Sequence, residues 1–276
     1  MGQKIKQFNL SGMETSPTNI VCFSGGKDST AMLHIMIERG EKIDAILFFD
    51  TGWDFPAMES HIQLVEKNTG IKIQRLMPPK PFEYYMFEHK YTNKQTNQLQ
   101  VGYGWPRPKK RWCTHFKIDA VKKYIKENYA KRDYHLCMGI AYDEPTRIKT
   151  GEKNKHERYP LYEYEITEDE ALNYCYGLGY DWSGLYKNFK RVSCFCCPLH
   201  VHDNLRTLRK KYPTLWTKML EMDNKTPFHN KQFTTGYTVA DFDKRFEFED
   251  TLTALCSSDA YPKKWSVKFR EAMKGK

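Results

Sequence analysis

Nowhere in the 276 residues does an apolar run approach the roughly 20 residues that a membrane-spanning helix needs. The polar start Gly2-Gln3-Lys4 carries no signal-peptide core, so the expectation is a cytoplasmic protein with no membrane partner. Internal repeats and low-complexity stretches are absent apart from a lysine-rich terminus. Acid is in deficit: 34 Asp and Glu face 44 Lys and Arg, a formal net charge of +10. That balance points to polyanionic partners, because clustered Lys and Arg release counterions from a phosphate backbone. Scattered lysines such as Lys122, Lys123 and Lys126 read instead as a solvated surface. With 40% hydrophobic residues the chain can bury one substantial core and still carry a small appended module.

Eight cysteines in a cytosolic chain do not read as a disulfide framework. Cys22, Cys137, Cys175 and Cys256 stand in apolar or helical surroundings, where a free Cys is a small buried hydrophobe. Cys194, Cys196 and Cys197 cluster, which points to metal or redox chemistry.

Along the chain, Asn19 to Phe23 reads as a buried strand, ended by Gly25-Gly26 and followed by a helical run from Thr30 to Ile37. Ala45 to Phe49 is a second strand. Pro56 to Thr69 repeats Met58, Ile62 and Val65 at helical spacing before Gly70, and Ile71 to Leu76 makes a third strand. Met77 to Arg111 lacks periodicity and reads as a long loop over a site. Helix returns from Lys117 to Asn128, and Tyr134 to Ile140 is a fourth strand. The alternation predicts an α/β fold, a doubly wound and mostly parallel sheet with helices on both faces. Past Pro160 short helices take over, one opened by the capping box Thr167/Glu170. The expected division is a nucleotide-binding α/β domain over 1–160 and a helical region carrying the Cys cluster over 161–276.

A strand running through Ser24-Gly25-Gly26-Lys27-Asp28-Ser29 into a helix leaves backbone N–H groups unpaired where the helix dipole is positive, a ready seat for phosphate. The glycines let the backbone approach, Ser24 and Ser29 offer hydroxyls, and Lys27 adds a mobile cation. The Walker pattern is absent, since it would need Gly at Val21 and Ser or Thr at Asp28.

This loop resembles that of the PP-loop ATP pyrophosphatases, and within them the phosphoadenosine phosphosulfate (PAPS) reductase-like family. Asp50-Thr51-Gly52-Trp53-Asp54-Phe55-Pro56, Gly139-Ile140 through Glu144 to Arg147, and Cys194 to Pro198 extend the resemblance over roughly residues 18 to 200. It implies an adenine nucleotide alpha hydrolase-like fold with the nucleotide across the carboxyl ends of the strands. The nucleotide-binding residues it implies are Ser24, Gly25, Gly26, Lys27, Asp28, Ser29, Asp50, Thr51 and Gly139. Lys27, Asp50 and Arg147 are the implied catalytic residues, with Glu144 orienting Arg147. A strand-ending Asx turn at Asp50 and a surface ion pair at Arg147 are the plainer alternatives.

Cys194 and Cys197 form a CxxC pair, a spacing that lets one turn present two thiolates to a metal. Cys113 resembles the family's earlier cluster cysteines and is the implied third ligand. Cys196, His200 and His115 stand open as the fourth. A Cys-rich set fits an iron–sulfur cluster, and His200 as fourth ligand would fit Zn²⁺. Sulfonucleotide reductases of the thioredoxin-dependent type carry a cysteine in a Glu-Cys-Gly tail, which Phe269 to Lys276 lacks.

The expected function is therefore an ATP- and Mg²⁺-using PP-loop enzyme. It would adenylylate a substrate with release of pyrophosphate, for sulfur transfer to a nucleic acid received on Lys109, Lys110 and Arg111, with a sulfur-donor protein as further partner. Sulfonucleotide reduction and a non-catalytic nucleotide- or nucleic-acid-binding subunit are the alternatives.

Overall fold

A computed structural model of the chain describes residues 17–107, 111–130, 132–192, 194–226 and 231–255. Gly2-Gln3-Lys4, Lys109, Lys110, Cys256 and the segment from Phe269 to Lys276 lie outside the described residues.

The chain begins its regular structure with β1 (Thr18–Phe23), α1 (Lys27–Glu38), β2 (Ile43–Phe49), α2 (Pro56–Thr69) and β3 (Ile73–Leu76). Pro56 opens α2 where its missing N–H costs nothing. Gly70 closes the helix at φ 69°, a left-handed turn that a side chain would strain. After a crossover come α4 (Trp112–Tyr129), β6 (Tyr134–Met138) and the two-residue β7 (Glu157–Arg158). These strands form a five-stranded sheet in the order β3-β2-β1-β6-β7, every pair parallel.

Period-two alternation explains why both faces are covered. Val21, Phe23, Ile46 and Phe48 join one core cluster with Ala31, Met32, Met36, Met58 and Ile62 of α1 and α2. Their neighbours Ile20, Ala45 and Leu47 turn the other way, onto Ile125 and Tyr129 of α4. Strands buried on both faces read as continuous apolar runs, as Ile20-Val21-Cys22-Phe23 and Ala45 to Phe49 do. The doubly wound α/β reading holds.

In its described residues, the region from Met77 to Arg111 is more ordered than a loop. It holds α3 (Phe82–Phe87) and a hairpin of β4 (Lys90–Thr92) and β5 (Leu99–Val101), followed by Gly102, where a Cβ would sit 2.4 Å from the Met86 carbonyl oxygen. Phe82, Tyr85, Met86 and Trp105 are buried; Phe82 packs on Trp53 and Trp112, Tyr85 on Trp112, and Trp105 on Phe233. Elements of three to six residues are too short to display a period.

Beyond residue 160 lie α5 (Pro160–Glu163), α6 (Glu168–Gly177), α7 (His202–Lys211), α8 (Pro213–Lys225) and α9 (Val239–Leu255). The Thr167/Glu170 capping box opens α6, with Glu170 N donating to Thr167 Oγ1 at 3.3 Å and the Glu170 carboxylate accepting from Thr167 N at 2.8 Å. Leu161, Ala171, Trp182, Leu205, Trp216 and Phe246 belong to the same apolar cluster as α1, so the core runs unbroken across residue 160. No described helix is long and apolar enough to cross a membrane.

Candidate functional site

In this sheet the connections from β1 run outward through β2 and β3, and the next strand, β6, returns to the opposite side of β1. The crevice between β1 and β6 at their carboxyl ends is where an open parallel sheet takes its ligand. A cleft of about 330 Å³ opens there, within the range of small-molecule sites. Ser24, Gly26, Lys27 and Asp28 line it after β1, Thr51 and Asp54 after β2, and Gly139, Glu144 and Arg147 after β6.

The loop is built to hold its shape. Gly25 takes φ 76°, and a Cβ there would lie 2.3 Å from Met58 Sδ. Ser24 N donates to Ser29 Oγ at 3.2 Å, and the Ser29 hydroxyl donates to the Gly26 carbonyl at 3.0 Å. Ser29 is thus a staple within the loop and does not line the cleft. Gly139 lets the β6 loop press against the first turn of α1: a Cβ would stand 2.8 Å from Ser29 N and 2.9 Å from the Asp28 carbonyl carbon.

Lys27 is not a mobile cation. It is 5% exposed, its Nζ 2.7 Å from Asp28 Oδ1 and 3.6 Å from Glu168 Oε2. Burial raises the Asp28 carboxyl above its ordinary range, partly countered by Lys27, and raises Glu168 in the same way. Arg147 pairs with Glu144 on the cleft wall, a contact that the anion-binding reading and the plainer surface ion pair share. Asp50 is used differently: its Oδ1 accepts from Gly52 N at 2.9 Å, its Oδ2 lies 3.8 Å from Arg75, and it does not line the cleft. The Asx turn is the geometry found. Asp54 takes the facing place, accepting from Thr51 Oγ1 at 2.9 Å, with burial raising its carboxyl.

Cys113, in the first turn of α4, shares the cleft wall with Cys194, Cys196 and Cys197. Cys197 N donates to the Cys194 carbonyl at 3.1 Å, the tight turn expected of CxxC. Among the described residues, however, no three His, Cys, Asp or Glu side chains converge on one metal position. Cys194 instead sits 3.3 Å from Thr51 Oγ1, and burial holds its thiol and that of Cys196 well above the usual range. His200 is spent within the protein: Nε2 donates to the Cys194 carbonyl at 3.1 Å and Nδ1 accepts from Asn204 at 3.3 Å. Exposed His115 is not on the cleft. The thiols suit a soft metal in kind, but their placement is not a closed coordination set.

The cleft also gathers groups that motif reading missed. Lys117, Lys190 and Arg191 join Arg107 and Arg111 on its lining, so seven Lys and Arg face four Asp and Glu. The adjacent pair Lys190-Arg191, just ahead of the cysteines, was the available signal. Tyr186 and Trp182 reach the loop from 159 and 157 residues further along the chain than the groups they contact. The Trp182 indole N–H donates to the Gly25 carbonyl at 2.7 Å, and the Tyr186 hydroxyl accepts from Lys27 N at 2.8 Å.

Residues 18–200 match the phosphoadenosine phosphosulfate reductase domain. The chain belongs to that family. Two uncharacterised proteins of Methanocaldococcus jannaschii are similar to this chain. One is 28% identical over 72% of this chain and 40% of its own length, the other 24% identical over 78% and 50%. A nin region protein of Escherichia phage lambda is 28% identical over 48% of this chain and 50% of its own. The PAPS reductase-like chain thus spans half or less of the length of these curated relatives. Among solved structures it is similar to a U34-tRNA thiolase of Methanococcus maripaludis carrying a [4Fe-4S] cluster, at 14% identity and TM-score 0.37 over 73% of this chain and 72% of that one. A predicted tRNA methyltransferase subunit of M. jannaschii gives 15% and 0.33 over 71% and 88%.

Proposed function

We propose that this chain is an ATP-using enzyme that transfers the adenylyl group to a substrate oxygen and releases pyrophosphate, so that sulfur can replace that oxygen in a nucleic acid. The observation that carries the reading is the phosphate seat at the start of α1 opening into a cleft whose lining is richer in cations than in acids. In the reaction, a substrate oxygen attacks the α-phosphorus of ATP, the bond to the β-phosphate breaks, and pyrophosphate leaves. The N–H groups at the helix start and the Lys27 ammonium offset the charge that builds on the leaving group. Arg147, fixed by Glu144, faces the same anion. Arg107, Arg111, Lys190 and Arg191 suit a phosphodiester strand at the mouth, and the cleft cysteines are its thiol groups.

Mg²⁺ would be held largely by the phosphate oxygens, as that ion commonly is, because the described residues supply no three-ligand cage. The thiols of Cys113, Cys194, Cys196 and Cys197 would be the groups to hold a soft metal at this wall. The test is to give the purified protein ATP or phosphoadenosine phosphosulfate and follow pyrophosphate and sulfite. Pyrophosphate release from ATP that is lost in Lys27→Ala is the expected result. Sulfite production with a thioredoxin donor and no ATP cleavage would replace this reading with sulfonucleotide reduction.

A further inference from the structure

The Lys27 backbone N–H, one of the donors that a phosphate at this helix start would use, is already engaged at 2.8 Å by a side chain 159 residues further along. Tyr186 lies in the segment Trp182–Lys187, where Trp182, Ser183 and Gly184 follow one another at φ 51°, 53° and 78°. Left-handed backbone is unfavourable for the two that carry a Cβ, and such a run persists only where its surroundings fix it. Here Asp181 fixes it, accepting from Ser183 N at 2.9 Å through its side chain and from Gly184 N at 2.9 Å through its carbonyl. The strained turn delivers two side chains to one loop. The Trp182 ring stacks on His61 at 4.5 Å and anchors Gly25 through its indole N–H, while Tyr186 packs edge-on against Trp182 at 4.7 Å. Gly26 is fitted to the phenol: a Cβ there would stand 3.2 Å from the Tyr186 oxygen.

A phenol oxygen can accept one hydrogen bond while donating its own proton. Tyr186 accepts from Lys27 and lines the cleft, and among the described residues no protein group takes its proton. We propose that Tyr186 is a phosphate-binding residue of this site, its hydroxyl accepting from the Lys27 N–H and donating to a phosphate oxygen beside it. The grip on the phosphate is then closed from two sides, by the loop after β1 and by the strap before the cysteines. Burial pushes the phenol well above its ordinary range, so it keeps the proton that it would donate. The inference rests on the reading of the cleft as a nucleotide site.

Binding of ATP, inorganic pyrophosphate and adenosine to the wild-type chain and to Tyr186→Phe, by isothermal titration calorimetry, separates the possibilities. Loss of one hydrogen bond to a charged group should weaken ATP and pyrophosphate about tenfold to a hundredfold and leave adenosine unchanged. Equal affinity in the variant would overturn the inference, and so would a common loss for all three ligands, which is the mark of a buttress. Tighter binding in the variant would make Tyr186 a plug of the seat and overturn it as well. Hydrogen exchange on the wild-type chain needs no variant: pyrophosphate should protect both the Ser24–Ser29 peptide and the Trp182–Lys187 peptide. Protection of the first alone refutes the phenol contact. A wild-type chain that binds neither ATP nor pyrophosphate would refute the nucleotide reading itself.

Discussion

Gly139→Ala is the sharpest perturbation of the seam between β6 and the phosphate loop. The added methyl would stand 2.8 Å from Ser29 N, 2.9 Å from the Asp28 carbonyl carbon and 3.0 Å from the Asp28 carbonyl oxygen. All three are backbone atoms in the first turn of α1, so no flexible side chain can swing aside. Overpacking of this kind costs about 1 to 3 kcal/mol. Each kcal/mol lowers the melting temperature by about 2 to 4 °C in a chain near this size. Relief requires α1 to retreat from β6, which moves the very N–H groups assigned to phosphate. Pyrophosphate affinity should fall about tenfold, since small displacements of positioning groups are costly. Gly40→Ala is the control: φ is 71° there and nothing lies within 4 Å of the added Cβ. It carries a backbone penalty of about 1 to 2 kcal/mol, so stability drops while pyrophosphate binding stays. Calorimetric melting and pyrophosphate titration of both variants give the answer. A Gly139→Ala chain that melts and binds as the wild type does would refute the close packing on which the site is built.

Burial lowers the pKa of His61 from 6.5 to about 3, so the ring is neutral in the folded protein at neutral pH. The unfolded chain binds the extra proton across that window. Stability present above 6.5 is therefore lost as pH falls toward 3, by up to about 1.4 kcal/mol per pH unit. His61→Phe should flatten this part of the slope in denaturant titrations between about pH 7 and 5, and equal slopes in both proteins would contradict it. Because both His200 ring nitrogens are engaged inside the protein, His200→Ala should lower stability by about 1 to 3 kcal/mol and leave bound zinc or iron per chain unchanged. Metal analysis after anaerobic purification that shows a lost equivalent would make His200 a ligand.

The strand, loop and helix around residues 19 to 38 were legible because each was declared locally: an apolar run, a Gly pair and a 3.6-residue period. The α2 boundaries were legible for the same reason, through Pro56 and Gly70. What sequence could not carry was convergence. CxxC correctly implied a turn at Cys194 to Cys197, but whether His200 faces a metal or a carbonyl is decided by Asn204 and the Cys194 backbone. The Asp50 motif lay in the right place along the chain, yet the turn it opens gives the cleft to Thr51 and Asp54. Tyr186 left no motif at all, because its partner is a backbone N–H with no sequence signature.

The charge around the phosphate loop poses a problem that its shape does not. Lys27 is held between Asp28 and Glu168, so an arriving phosphate meets a cation already neutralised by two carboxylates. Their raised pKa values have the same origin, since burial first, and then neighbouring carboxylates such as Glu144, oppose ionisation more than Lys27 relieves it. Glu168 is the more dispensable partner, at 3.6 Å and with a side chain 42% exposed. A solvent-screened pair of this kind contributes up to about 1 kcal/mol. Glu168→Gln should therefore release part of the Lys27 charge and tighten metal-free pyrophosphate about fivefold. The gain should shrink when Mg²⁺ is present, because a divalent cation on the phosphate already offsets the carboxylate. Weaker metal-free binding in Glu168→Gln would mean that Glu168 holds Lys27 in its working position, and that the ion pair serves the grip instead of opposing it.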